Sequence, residues 1–175
     1  GRNINDEDIV GMLKGPRGTV VKVKIQRRGY PELLAFSITR DKIPIYSVDV
    51  AYMTNENTGF IRINNFTEST FDEFMNGLRE LKAKGMTKLI IDLRGNPGGV
   101  MDASIQIANE FLKKGQLIVY TKGRSQLRNE ANATGSGEFQ NGDVVILIAE
   151  WSATASEILA GAIQDNDRRT IIGRR

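Results

Sequence analysis

The chain has 175 residues, 40% of them hydrophobic and 26% charged, which is enough to bury a real core and excludes a disordered tail, a collagen-like chain and a small stapled scaffold. A net charge of +3 is too mild to imply a nucleic-acid partner, and no uninterrupted apolar run is long enough to span a bilayer. Cysteine and histidine are both absent, which removes disulfides, thiol nucleophiles, a Ser-His-Asp triad and the usual zinc sites, and leaves acid–base chemistry to Asp, Glu, Lys, Tyr or a group from elsewhere.

Residues 1–43 read as helix, turn, strand, strand. Asn5-Asp6-Glu7-Asp8 is a helix start with acidic residues in the first turn, and Ile9, Met12 and Leu13 form one apolar face. Gly15-Pro16-Arg17-Gly18 is a turn. Val21, Val23 and Ile25 then alternate with lysines, and Leu34, Phe36 and Ile38 alternate with small polar residues. This segment is too small to hold a comfortable core, and its abrupt opening on a helix predicts the tail of a small domain that starts earlier.

A second unit is expected over residues 44–175. It begins with an apolar-alternating stretch from Ile43 to Tyr52 and a strand over Gly59–Ile63. A helix follows, with Thr70 and Glu73 spaced as a capping box and Gly85 at its C-cap. Lys88–Leu93 reads as a strand buried on both faces, followed by a tight loop, Arg94–Gly99. Val100–Lys113 reads as a helix with Ile105, Ala108 and Leu112 inward, and Gln116–Tyr120 as a strand. Gly123–Gly142 is polar and Gly-rich, which predicts a long mobile loop. Val144–Ile148 is a further strand, Ala155–Gln164 a helix and Thr170–Ile172 a last strand. Such strand–helix alternation predicts an α/β layer with right-handed crossovers. Asp165, Asp167, Arg168 and Arg169 read as a solvated helix end.

Sites in open α/β sheets gather at the carboxyl ends of strands. Two loops qualify, Arg94–Gly99 and Glu150–Thr154, and parallel strands would put both on one edge. Gly98-Gly99 before a helix suits an oxyanion hole or an anion nest, although a bare strand-to-helix turn explains the pair on its own. Ser152-Ala153-Thr154-Ala155-Ser156-Glu157 places three hydroxyls among small residues at a helix start. That suits a hydroxyl nucleophile, and equally an ordinary N-cap.

Together these motifs resemble a known family. Ile91-Asp92-Leu93-Arg94-Gly95-Asn96-Pro97-Gly98-Gly99 resembles the "LDLRxNPGG" loop of the carboxyl-terminal processing peptidases, the tail-specific proteases. Ser152 through Asp165 resembles their "SASASEIxAGAxQD" helix, and Gly15-Pro16-Arg17-Gly18-Thr19 the turn that closes their PDZ domain. The resemblance implies an α/β fold of the crotonase-like, ClpP-like spiral type, preceded by the C-terminal part of a PDZ domain. It implies a Ser-Lys serine peptidase, without cofactor or metal, that cleaves unfolded or tagged proteins near their C-terminal tails outside the cytoplasm.

Residue by residue, the resemblance puts Thr154 at the nucleophile position, where the family has serine, and Asp165 in a supporting role. It puts Gly98, Gly99 and Ala155 in the oxyanion hole, and Asn96, Pro97 and Ser152 against substrate. The family lysine falls past Arg175, so the 175-residue chain is expected to be inactive by itself. The open edges of such a fragment predict self-association into a homo-oligomer. Two rival readings stand beside the peptidase. One is a tail-binding pseudoprotease. The other is a binding module like the acyl-CoA hydratase group or the retinoid-carrying repeats, for which the sequence marks no coenzyme path.

Overall fold

A computed structural model describes residues 5–42, 45–123, 127–168 and 170–174. The chain divides into two compact units, Gly1–Ile45 and Tyr46–Arg175. The boundary expected at Ile43 and Pro44 lies outside the described residues, as does Arg169.

In the first unit, α1 (Asp6–Leu13) is capped by Asn5, whose Oδ1 accepts from Asp8 N–H at 2.8 Å. β1 (Val20–Ile25) and β2 (Leu34–Thr39) pair antiparallel from Val20↔Thr39 to Ile25↔Leu34. The Arg40 guanidinium fastens the end of α1 to the hairpin by donating to Leu13 O (2.8 Å), Met12 O (3.2 Å) and Thr19 Oγ1 (2.9 Å). No described residue of this unit is buried. Its order therefore rests on hydrogen bonds and local propensity.

The second unit holds β3 (Val48–Met53), β4 (Thr58–Ile63), α2 (Thr70–Ala83), β5 (Lys88–Asp92), α3 (Met101–Asn109), β6 (Leu117–Thr121), β7 (Asn129–Asn132), β8 (Asp143–Ile148), α4 (Ala155–Asp165) and β9 (Thr170–Gly173). Its main sheet runs β3-β4-β5-β8-β9. β3 is antiparallel to β4 and the other pairs are parallel. Ile61, Ile63, Leu89, Ile91, Val144 and Ile146 occupy every second position of the three central strands and are all nearly or fully buried. That period of two fixes which face carries the core. Phe74, Leu78 and Leu81 of α2, Ile107 and Ala108 of α3, and Leu159 and Ile163 of α4 complete it. No helix among the described residues is long and apolar enough to cross a membrane.

Four local expectations are corrected. Thr70 and Glu73 form no capping box. Ser69 holds the N-cap position, Thr70 is fully buried, and its hydroxyl donates to Ser47 Oγ at 2.8 Å. Glu73 turns instead to the start of β3 and accepts from Ser47 N–H (2.7 Å), Ser47 Oγ (2.8 Å) and Val48 N–H (2.9 Å). Burial works to raise the pKa of Glu73, but these bonds and one from Ser69 outweigh it and hold it below the usual range.

α3 stops at Asn109 rather than Lys113. The chain tightens into three-residue turns, Glu110 N–H to Ile107 O and Phe111 N–H to Ala108 O, which drive Phe111 and Leu112 into the core. The Gly-rich segment is not one loop, since it contains β7, paired antiparallel with β6 in a separate two-stranded sheet. Residues 124–126 lie outside the described residues. Beyond β7 the segment is pinned by Glu110, 6% exposed, whose carboxylate accepts from Glu138 N–H at 2.7 Å. Burial raises the pKa of that carboxyl. Finally, Arg168 is no solvated helix end. It is half-buried and donates to Phe111 O (2.8 Å), Phe139 O (3.0 Å) and Gly142 O (2.6 Å).

Candidate active site

β5 and β8 are neighbours and parallel, with Asp92 opposite Leu147, so the loops that follow them leave the same edge of the sheet. The first loop is braced at its base. Asp92, 3% exposed, accepts from Arg94 N–H (3.0 Å), Nε (2.9 Å) and Nη2 (2.8 Å), a two-pronged grip that bends the chain out of the strand. Burial pushes the pKa of Asp92 up. The Arg94 hydrogen bonds, with the charges of Arg94 and Arg62, push it further down and leave it below the usual range.

Asn96 is fully buried. Its Nδ2 donates to Ile63 O at 2.8 Å and its Oδ1 accepts from Gly98 N–H at 2.8 Å. Its main-chain oxygen accepts from Ala153 N–H and Ser156 Oγ, each at 3.2 Å. Asn96 therefore ties β4, its own loop and the second loop together. With no exposed surface it braces the two loops from behind.

Gly98 and Gly99 have φ of 93° and 135°. A Cβ at Gly98 would collide with Thr154 Oγ1, and one at Gly99 with Phe66 O. Both glycines are thus required twice, by conformation and by close approach. Phe66 stitches the loop down from the other side, with Phe66 N–H to Gly98 O (2.8 Å) and Val100 N–H to Phe66 O (2.9 Å).

In the second loop, Ser152 Oγ donates to Leu93 O at 2.7 Å and accepts from Ala149 N–H at 3.0 Å. The hydroxyl is spent on joining the two loops, so Ser152 too is a brace. Thr154 follows at φ 46°, ψ −107°. A positive φ at a β-branched residue is costly, about 1–3 kcal/mol, and such strain collects at functional turns. Thr154 N–H donates to the Glu157 carboxylate at 2.9 Å and its exposed hydroxyl donates to Pro97 O at 2.9 Å. Pro97 is exposed beside it, while Ala155 and Ser156 are buried beneath.

Gly98 N–H is committed to Asn96. Gly99 N–H and Ala155 N–H have no acceptor among the described residues. The edge therefore presents one exposed hydroxyl at a helix N-terminus, with unspent N–H donors on the two loops around it. That arrangement can place a nucleophile on a carbonyl and hold the oxyanion that forms. Asp165 is not in contact with this hydroxyl. It ends α4, whose 11 residues span about 16 Å. Among the described residues no group of three or more acidic side chains is placed to hold a metal ion.

The family model for peptidase family S41 matches residues 57–175. The chain belongs to peptidase family S41. This S41 chain is 38% identical over 180 residues to the carboxy-terminal-processing protease of Bartonella bacilliformis, covering 99% of this chain and 40% of that protein. It is 33% identical over 175 residues to the carboxyl-terminal-processing protease of a Picosynechococcus strain, covering 98% of this chain and 42% of that protein. Among solved structures, the photosystem II D1 C-terminal processing protease superposes with a TM-score of 0.68 at 26% identity, over 97% of this chain and 47% of that one. The S41 chain thus spans about two fifths of the length of the first two relatives and about half of the third.

The sequence alone marks Thr154, Ala155, Pro97 and the two glycines, and the structure brings these together. It misses the Asp92–Arg94 grip, the burial of Asn96 and the role of Glu157. An Asp-x-Arg pair at a strand end and a Thr-x-x-Glu spacing are visible in the letters and carry the first and last of these.

Proposed function

We propose that the chain is the core of a serine-type endopeptidase that cuts proteins near their C-termini by a nucleophile–lysine mechanism. The observation that carries this reading is the exposed Thr154 hydroxyl at the strained head of α4, between the unspent N–H groups of Gly99 and Ala155. In this mechanism Thr154 Oγ1 leaves Pro97 O and attacks the scissile carbonyl carbon. Its proton passes to a lysine that lies past Arg175 in the family pattern. The carbonyl oxygen gathers charge against the two N–H groups, the amine leaves with a proton, and water hydrolyses the acyl-enzyme.

The substrates in this reading are unfolded or tagged protein tails. The first unit is the C-terminal part of a PDZ domain that captures them, and the full protein works outside the cytoplasm. The names of the relatives, carboxyl-terminal-processing proteases, support the substrate class. In the same reading the protein self-associates into a homo-oligomer.

One observation favours a second reading, a tail-binding pseudoprotease. Thr154 carries a methyl that stiffens χ1, and its hydroxyl is held by Pro97 O at 2.9 Å. The deciding experiment compares the full-length protein with its Thr154→Ser form on an unfolded protein with an apolar C-terminal tail. Cleavage by the serine form alone identifies a peptidase core disabled by threonine, and cleavage by both identifies threonine as a working nucleophile. Tail binding without cleavage by either replaces the peptidase with the scaffold.

A further inference from the structure

The loop that offers the Gly99 N–H is held from behind by the segment 64–67, between β4 and α2. Phe66, 2% exposed, straddles Gly99. Its N–H donates to Gly98 O (2.8 Å) and its O accepts from Val100 N–H (2.9 Å). A Cβ at Gly99 would collide with Phe66 O, so there is no slack between the two stretches of chain. The position of the Gly99 N–H therefore follows that of Phe66. What fixes Phe66 is a buried polar cluster outside the two loops.

Thr67 N–H donates to Thr70 Oγ1 at 2.7 Å, Thr70 Oγ1 to Ser47 Oγ at 2.8 Å, and Ser47 Oγ to Glu73 Oε2 at 2.8 Å. The direction of this chain is forced. The Glu73 carboxylate is ionised and can only accept. Ser47 spends its one proton on Glu73, so it accepts from Thr70. Thr70 spends its one proton on Ser47, since its other acceptor, Asn65 O, is farther away at 3.4 Å, and so it accepts from Thr67. Ser47 O also accepts from Asn64 N–H at 2.8 Å. Residues on both sides of Phe66 are thus tied to Ser47 and through it to one carboxylate. Ser47 and Thr70 are 1% and 0% exposed, so water does not replace a lost bond. Bonds aligned head to tail in a dry site strengthen one another and specify one geometry.

We propose that Ser47, Thr70 and Glu73 are positioning residues for the reaction. They set Phe66, and through it they hold the Gly99 N–H where the oxyanion forms. The inference rests on the proposed peptidase, with Gly99 among the oxyanion donors.

The test uses the full-length protein with threonine or serine at position 154, whichever cleaves, on an unfolded protein with an apolar C-terminal tail. Thr70→Val keeps the shape and strips the hydroxyl. It should lower kcat about tenfold and leave KM within about twofold, because the misplaced donor matters only as charge develops. Thr70→Ser should restore most of that loss. Ser47→Ala leaves Glu73 its two main-chain donors and should lower kcat less. Arg168→Lys is the control, since it loosens the segment after β7 instead. It should lower the melting temperature with kcat unchanged.

Amide exchange reads the position without the reaction. In the parent, the 94–101 peptide should exchange at the rate of β5. In Thr70→Val it should exchange about tenfold faster than β5 of the same molecules, whereas a general loss of stability moves both together, as in Arg168→Lys.

Unchanged kcat in Thr70→Val overturns the inference, and so does an equal fall of kcat in Arg168→Lys. Exchange of 94–101 that stays with β5 in Thr70→Val and Ser47→Ala also overturns it. If Thr70→Val does not fold, Ser47→Ala decides by the same two readings. Absence of cleavage with either residue at 154 removes the peptidase. Quickened exchange then leaves the hold on the loop standing, and unchanged exchange removes both.

Discussion

Thr154 and Gly98 meet at van der Waals range, and each constrains what the other can be. The turn at φ 46° lifts the hydroxyl clear of α4, and only a residue without Cβ at position 98 leaves room for it. Gly98→Ala adds a collision to a disfavoured conformation at φ 93°. It should cost about 2 kcal/mol or more, read as a lower urea midpoint of the 175-residue chain at constant slope.

Asp92 gives a pH signature. Its folded-state pKa is held below the unfolded value, so its contribution is present above the unfolded pKa, near 4, and is lost as pH falls through the lower folded value. Asp92→Asn should therefore be less stable than the parent at pH 7, by about 1–2 kcal/mol because the Arg94 partner is half in water. The two should converge as pH drops below about 4, and a constant gap across that range in urea titrations would contradict the assignment. At this scale the sequence shows which residues are reactive, but not which are spent. Ser152 and Asn96 look as available as Thr154 until their hydrogen bonds to Leu93 O and Ile63 O are seen.

Elements follow the sequence where periodicity is long and fail where a side chain reaches across space. α4 is legible because apolar and small residues recur at helical spacing through its 11 residues. α3 is read too long because Phe111 and Leu112 continue the apolar pattern although the backbone has already tightened. β7 escapes because Asn129-Glu130-Ala131-Asn132 has almost no strand propensity, and its pairing with β6 supplies what propensity does not.

Arg168 is the clearest case of reach. One guanidinium gathers carbonyls from Phe111, Phe139 and Gly142, so it holds the segment after β7 against the end of α3. Arg168→Met should strand these carbonyls and cost about 2–4 kcal/mol. Arg168→Lys keeps the charge without the planar fork and should recover less than half of the loss. Equal stability of the Lys variant and the parent in thermal melts would show that charge, and not geometry, holds the segment.

At the scale of the whole chain, strand–helix alternation correctly implies an α/β layer, and the structure adds that β5 and β8 are parallel neighbours in it. It does not reveal that β6 leaves the main sheet, because an isolated run such as Leu117–Thr121 looks the same whether its neighbours are parallel strands or a hairpin partner. The units also differ in kind. Among the described residues, the second places 26 hydrophobic side chains in its buried core, whereas the first buries none.

Local opening costs little where few apolar groups leave water on folding. Amide exchange followed by mass spectrometry on the 175-residue chain should therefore split in two. Peptides from α1, β1 and β2 should exchange within seconds to minutes. Peptides from β4, β5 and β8 should stay protected for orders of magnitude longer, at the rate of global unfolding. Equal protection of β1 and β5 would mean that the hairpin is buried in solution, by the second unit or by another copy of the chain. The site itself lies on the slow side of this division. Asn96, Ser152, Ser156 and Asp92 all brace its loops from within the second unit. The geometry around Thr154 should accordingly persist when the first unit opens, so the 94–99 and 149–156 peptides should exchange with β5 and not with β1.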